Sequence, residues 1–408
     1  MNNNYIHRSL EPIVIKAASQ FPSTVVIGPR QSGKTTLLKH LFSESYTILS
    51  LEPPDVRLAA QSDPRGLLNL YPPPVVFDEI QYVPELLPYI KEKIDASRSR
   101  NGQFILTGSQ NLLLMQQVTE SLAGRTAILK LMPLSHRELA NVPGKFLPWE
   151  TKPEAGSGLP ERTSLKIWEQ ALRGFYPEIA ADPHRDIRAW QASYIQTYLE
   201  RDVRNLRNLG NLTQFQVFLR TLAARSAQIL NMSELSREVG IAVNTVKDWI
   251  SILEASFQIF LLRPYYANIG KRLIKSPKVY FVDTGLLCYL VGLRDIEHAA
   301  AGPMGKAIFE NLIVSDLYKT YLHRGDEPPL YYWRTVAGSE VDLVIETQSG
   351  LIPMEIKLSE TPRPEMAKGI LGFQRDFKKK ALPGYIIHPG TITLPLGQGI
   401  TALPLNKL

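Results

Sequence analysis

A chain of 408 residues, 44% apolar and 21% charged, has room for two or three domains that each bury a core of their own. The formal charge of +7 and a pI near 9.2 favour anionic partners such as nucleotides or nucleic acid. A lone cysteine, Cys288, excludes an internal disulfide framework and a thiolate zinc site. No stretch approaches the ~18 apolar residues of a membrane helix, and the first residues lack a signal-peptide profile, so a reduced, cytoplasmic protein without a membrane partner is expected.

Residues 5–20 read as a short helix feeding an apolar, β-branched strand, Thr24 to Ile27. Gly28 to Thr35 follows as GPRQSGKT, which fits G-x-x-x-x-G-K-[S/T], and Thr36 to Phe42 has the composition of a helix. Strand, glycine loop and helix together let backbone N–H groups and a helix N-terminus converge on phosphate oxygens. Gly28, Pro29, Arg30, Gln31, Ser32, Gly33, Lys34, Thr35 and Thr36 are therefore the candidate cradle for ATP. In it Lys34 pairs with the β- and γ-phosphates, and the Thr35 hydroxyl is a ligand for Mg2+.

Tyr46 to Leu51 reads as a second strand and residues 55–70 as helical. Val75 to Ile80 is an apolar strand that ends in two acids. Asp78 at its tip is placed as a direct or second-sphere Mg2+ ligand, and Glu79 as the group that polarises the attacking water. A helix over Val83 to Arg98, a strand over Gln103 to Thr107, a helix over Leu112 to Leu122 and a strand over Ala127 to Leu131 complete an alternating series. Such alternation predicts a parallel sheet with right-handed crossovers, an α/β fold. Thr107, Ser109 and Gln110 form a polar cluster at the edge where open α/β sheets bind ligands; they either sense the γ-phosphate or are an ordinary loop. Arg125, after Gly124, is either an arginine that reaches a neighbouring subunit's nucleotide or a solvated helix end.

GPRQSGKTT, VVFDEIQ, FILTGSQ and SLAGR, in this order, resemble bacterial and archaeal ATPases of the AAA+ superfamily over nearly the whole chain. The resemblance implies a P-loop AAA+ sheet domain, a helical lid with a winged helix, and a C-terminal restriction-endonuclease-like domain. By position it implies nucleotide binding by Gly28, Gly33, Lys34 and Thr35, hydrolysis by Asp78 and Glu79, sensing by residues 107–110, and a finger at Arg125. Members commonly assemble as rings, often hexamers, so a homo-oligomer is implied too.

Residues 141–165 are rich in Pro, Gly and charge and read as a linker or insertion. Gly174 to Glu178 is similar to a family signature. Trp190 to Arg207 follows at helical spacing, where Tyr194 and Tyr198 are core or a ligand platform, and Arg201 is a salt-bridge or phosphate group. Met232 to Gly240 and Ile241 to Ile250 read as helix, turn, helix, with wing strands at Phe257 to Leu262 and Lys278 to Val282. Residues 201–280 hold twelve Lys and Arg against five Asp and Glu, a surplus of seven that equals the charge of the chain. Lys247, Lys271, Arg272 and Lys275 are the candidate contacts to DNA, though a winged helix also serves as a packing module.

Gly305 to Tyr321 reads as an amphipathic helix that carries Glu310. Strands over 330–335, 340–346 and 351–358 place Asp342 and Glu355 on one hairpin, and Glu355 and Lys357 on one face. Glu310, Asp342 and Glu355 can converge on Mg2+ while Lys357 positions the water that attacks a phosphodiester. This order resembles the PD-(D/E)xK nucleases, with Val341 where their proline stands, which leaves cleavage open. The expected domains are 1–140, 141–165 as linker, 166–230, 231–297 and 298–408. The expected function is an ATPase that couples turnover to DNA binding, remodelling or cleavage. The alternative is a regulatory ATPase, or a nucleotide-gated transcription regulator, whose nuclease-like domain only binds or assembles.

Overall fold

The computed structural model describes residues 5–108, 118, 120–150, 164–199, 212–267, 272 and 275–408. Strands β1 (Ser23–Ile27), β2 (Thr47–Ser50), β3 (Val75–Asp78), β4 (Phe104–Gly108) and β5 (Thr126–Lys130) form one sheet in the order β2-β3-β4-β1-β5, with every pair parallel. β1, β3 and β4 are buried at every position, because helices cover both faces of a parallel sheet. Val26, Val76 and Ile105 pack with α1 (Glu11–Gln20) and α2 (Lys34–Phe42). Their neighbours Val25, Phe77 and Phe104 join the cluster that holds Leu87, Ile90 and Ile94. The alternation follows from the two-residue period of a strand.

Three helical expectations shift here. The stretch 55–70 is broken into α3 (Pro54–Ser62) and α4 (Pro64–Leu70), because Asp63 accepts a hydrogen bond from the Gly66 N–H and Pro64 opens a new helix. The Val83–Arg98 helix begins only at Leu87, as α5 (Leu87–Ala96). The first helix likewise starts at Glu11, which leaves residues 5–10 free to run past the phosphate loop.

A short α6 (His136–Leu139) leads out of the first domain. The middle segment holds α7 (Ser164–Arg173), α8 (Pro177–Ala181), α9 (Ile187–Tyr194) and α10 (Leu212–Ala224). It continues with the pair α11 (Met232–Val239) and α12 (Val243–Ala255), joined by a tight turn at Gly240. β6 (Ile259–Leu262) and β7 (Lys278–Phe281) form a two-stranded antiparallel sheet, followed by α13 (Thr284–Leu290) and α14 (Ile296–Ala301).

The C-terminal part opens with α15 (Gly305–His323), then β8 (Leu330–Arg334), β9 (Glu340–Thr347), β10 (Gly350–Ile356), α16 (Lys368–Phe377), β11 (Gly384–His388), β12 (Leu394–Pro395) and β13 (Ile400–Pro404). Its six strands run β12-β13-β11-β10-β9-β8; β9 is antiparallel to both β8 and β10, and β11 is parallel to β10. The expectation of an amphipathic α15 is corrected. The helix is buried nearly all round, including Glu310, Asn311, Asp316, Lys319 and His323, because it is wedged among the first sheet, the middle segment and its own sheet.

Candidate functional site

The loop between β1 and α2 is shaped by backbone that only particular residues tolerate. Gly33 has φ +94° and opens α2, so the first N–H groups of the helix, which have no partner within it, point back toward the loop. A side chain at Gly28 would collide with the Leu131 carbonyl, because residue 131 continues β5 alongside the loop through an N–H bond to Ile27. The Lys34 ammonium curls back over the loop and donates to the carbonyls of Gly28 (3.1 Å) and Pro29 (2.9 Å). It thereby lies over the loop's concave side, with almost no exposure of its own.

The sheet order explains the neighbouring acids. β4 lies between β1 and β3, so Thr107 near its end reaches sideways to the tip of β3. Its hydroxyl donates to Asp78 Oδ1 at 2.5 Å and accepts from the Glu79 N–H at 2.9 Å. From the other side, the Thr35 hydroxyl donates to Asp78 Oδ2 at 2.8 Å. Asp78 is thus held between the first turn of α2 and the end of β4, as two hydroxyls satisfy a carboxylate only 6% exposed. Glu79 then turns at φ +60°, a conformation uncommon for glutamate, and its side chain accepts from Gln81 Nε2. Thr107 therefore positions both acids, a more specific place than the polar loop expected around it.

In front of these groups is a cavity of about 400 Å3 lined on the loop side by Gln31, Gly33, Lys34, Thr35, Thr36 and Glu79. Tyr5, Ile6 and Arg8 line a second wall, and Pro177, Glu178 and Ala181 of α8 a third. Arg8 was not singled out in the sequence, since it stands alone in an unpatterned N-terminal stretch. It donates to the Ser32 carbonyl (2.8 Å) and the Met132 carbonyl (2.6 Å) and pairs with Glu138 at 3.2 Å. Glu138 in turn pairs with His323 of α15 at 3.1 Å. Burial alone would raise the Glu138 carboxyl; Arg8 and His323 overcome it and hold the group well below the usual carboxylate range. The loop is therefore tied by buried charge to the longest helix of the C-terminal part.

Tyr194 is core and more. It stacks on Trp190 at 5.2 Å, shares a 2.8 Å hydrogen bond with Tyr176, and donates to the Arg30 carbonyl at 3.4 Å. Arg125 lies at the start of β5, the end of the sheet opposite the loop, in a two-bond pair with Asp95 at 2.7 and 3.1 Å. Ser109, Gln110, Tyr198, Arg201, Arg204 and Lys271 lie outside the described side chains.

The basic strip does not form one surface. Lys247 on α12 and Lys275 are exposed. The expectation for Arg272 is corrected: it is 8% exposed, bonds both carboxylate oxygens of Glu346 at 2.8 and 3.2 Å, and lies over the rings of Tyr265 and Tyr331. A guanidinium so enclosed anchors the middle segment to β9 and is closed to a phosphate backbone.

Glu310, Asp342 and Glu355 do come together, and all three are buried. Lys357 lies 2.5 Å from Glu355 Oε2 and 3.9 Å from Asp342 Oδ2, while Asp342 Oδ2 accepts the Ile356 N–H at 2.8 Å. Burial first, and then the charge of Asp342, push both the Glu310 and the Glu355 carboxyls upward. A further cation, Lys278 of β7, reaches Glu310 Oε1 at 3.3 Å and Glu340 Oε1 at 2.7 Å. The Tyr280 hydroxyl donates to the same Glu310 oxygen at 2.6 Å. Glu310 Oε1 thus already accepts from an ammonium and a phenol, so as folded the cluster does not fit a divalent ion at that oxygen, where the ion would have to displace a cation of the chain itself.

A loop of this shape with an acid pair, at the end of a five-stranded parallel sheet, is consistent with a P-loop ATPase domain, and residues 20–140 match the family model described as an AAA domain. Residues 164–297 and 305–408 match two models described as domains of unknown function. The chain is similar to an uncharacterized protein of Mycobacterium tuberculosis, 29% identical over 96% of this chain and 82% of that protein. It is also similar to one of Methanocaldococcus jannaschii, 23% identical over 87% and 79%. Among solved structures, a Walker-type ATPase of Pyrococcus abyssi aligns over 71% of this chain and 97% of its own, with 16% identity and a TM-score of 0.46. No helix among the described residues is long and apolar enough to cross a membrane.

Proposed function

We propose that this chain hydrolyses ATP and couples the turnover to an action on DNA. The observation that carries the reading is that Lys34, Thr35 and Glu79 line one cavity while Asp78 and Thr107 are hydrogen-bonded to Thr35 and to the Glu79 N–H beside it. In this reading the loop N–H groups and Lys34 hold the β- and γ-phosphates, with phosphate oxygens taking the place of the carbonyls Lys34 now touches. The oxygens of Thr35 and Asp78, adjacent and hard, suit Mg2+, whose charge would offset that of the phosphates. Glu79 accepts a proton from the attacking water, and Thr107 fixes the direction of both acids. The lid is residues 166–230; its helix α8 senses the bound nucleotide from across the cavity.

The winged-helix reading of residues 231–297 rests on α11, α12 and the β6–β7 pair, and the DNA contact on exposed Lys247 and Lys275. Arg125 would serve a neighbour's nucleotide in a homo-oligomeric ring, on leaving Asp95. The nuclease-like reading of residues 298–408 rests on α15, β9 and β10, which carry Glu310, Asp342 and Glu355, with Lys357 directly after β10, and on the α16 and parallel β11 that follow. A second reading, a regulatory ATPase whose C-terminal domain only binds or assembles, is favoured by the Lys278–Glu310 pair. Plasmid DNA incubated with Mg2+ or Mn2+, with and without ATP, separates the two. Cleavage lost in Asp342→Ala and kept in Lys34→Ala supports cutting. Salt-dependent DNA binding without cleavage supports the regulator, and neither binding nor cleavage removes DNA from the account.

A further inference from the structure

The acidic cluster of the C-terminal sheet meets the middle segment through one short strand. In β7, Lys278 and Tyr280 are two residues apart and so share a face, and that face is turned to α15. Both polar groups end on one atom, Glu310 Oε1. Neighbouring Asn311, fully buried, makes the docking specific. Its side-chain oxygen accepts the Phe281 N–H and its amide donates to the Phe281 carbonyl, both at 2.8 Å, as a strand partner would. The Ser226 hydroxyl donates to the same Asn311 oxygen at 2.7 Å and fixes the orientation. On β6, directly opposite Tyr280, Phe260 stacks on Tyr318 of α15 at 4.0 Å.

The ammonium is also committed on its other sides. Lys278 Nζ bonds Glu340 at the start of β9 and lies 5.5 Å from the centre of the Tyr332 ring. From the opposite side Gly369 of α16 lies against Glu355 and the Glu340 carbonyl, so closely that no side chain fits there. Four carboxylates, Glu310, Glu340, Asp342 and Glu355, thus share two lysines, with Glu310, Asp342, Glu355 and Lys278 buried.

We infer that Lys278 is a built-in counter-ion that holds the position a divalent cation would need at Glu310, so that docking of β7 and metal binding by the cluster exclude one another. A metal-loaded state then requires β7 to withdraw from α15, which breaks the Asn311–Phe281 pair as well. The inference deepens the nuclease-like half of the proposed function, resting on that reading, and is independent of ATP hydrolysis. Regulation follows from the geometry: whatever moves the middle segment opens or closes the acids.

Mn2+ binding to the full-length chain, without nucleotide, tests it by calorimetry on the wild type, D342N, K278M and K278M/D342N. The expected result is equal Mn2+ binding by the wild type and D342N. K278M should gain a site at least about tenfold tighter, since a competing unit charge is gone, and the double variant should lose it. A Mn2+ ion held by the wild type and lost in D342N overturns the inference, as does a folded K278M that gains nothing. Should K278M fail to fold, K278Q, which also removes the charge, is read in its place with the same two outcomes. ATP turnover in the same samples reads the proposed function separately; its absence sinks that reading and leaves the Mn2+ outcome standing.

Discussion

Asp78 and Glu79 stand at the tip of a buried strand with a hydroxyl on either side of Asp78 and a cavity in front of Glu79. Glu310, Asp342 and Glu355 instead meet under two lysines, a tyrosine and the backbone of a helix. Both sites join carboxylates to a nearby lysine, yet one is arranged around a space and the other around its own cations. Lys34 is held by neutral carbonyls that a phosphate can replace, whereas Lys278 is held by two carboxylates. What distinguishes a site ready for a ligand is therefore the charge of the groups that occupy it in the folded chain, more than the residues that compose it.

The comparison can be broken at several points. The largest effect is expected at Lys34→Ala, which should lower ATP turnover by at least about a hundredfold, as for loss of a main electrostatic donor to the reacting group. Unchanged turnover would put the nucleotide elsewhere. Next, Glu138→Gln leaves Arg8 buried without its full partner and should cost about 3 kcal/mol in a denaturant titration. The wild type should also lose stability in acid. Burial raises Glu138, Arg8 and His323 outweigh it, and the group ends far below its ordinary 4.5. Its contribution is present above that value and lost as pH falls from about 4.5 downward; Glu138→Gln should flatten this part of the profile. An equally steep acid limb in the variant would assign it to other groups.

Thr107→Val should leave nucleotide affinity nearly intact and slow turnover by about tenfold, because Asp78 and Glu79 lose a shared guide worth about 1–2 kcal/mol. If affinity falls and turnover does not, Thr107 is a binding group instead. The smallest change is expected for Arg125→Ala, measured across protein concentration. Turnover should drop only where the chain assembles, with the melting temperature of the dilute protein unmoved, since the pair with Asp95 is exposed. A uniform drop at all concentrations would argue against a role between subunits.

Much of the first site was legible because it is local. Eight consecutive residues set the loop, and the apolar run before Asp78 marks its strand. Its supports were not legible. Arg8 lies 124 residues from Met132, and Glu138 lies 185 from His323, so neither pairing leaves a pattern within a window. The basic segment misled for the same reason. Sequence gives the charges of Arg272 and Lys278, while their burial depends on Glu346 and Glu310, 74 and 32 residues away. Helix α15 looks one-sided in the sequence because its polar residues repeat at helical spacing; each of its buried acids and the buried Lys319 instead meets a partner from another part of the chain.

The most direct test of the account is ATP binding and hydrolysis by the purified chain with Mg2+, compared with Glu79→Gln. Retained binding with turnover lowered by about a hundredfold or more is predicted for a lost proton acceptor. Equal turnover in the two proteins, or a folded wild type that neither binds nor splits ATP, would contradict the central claim.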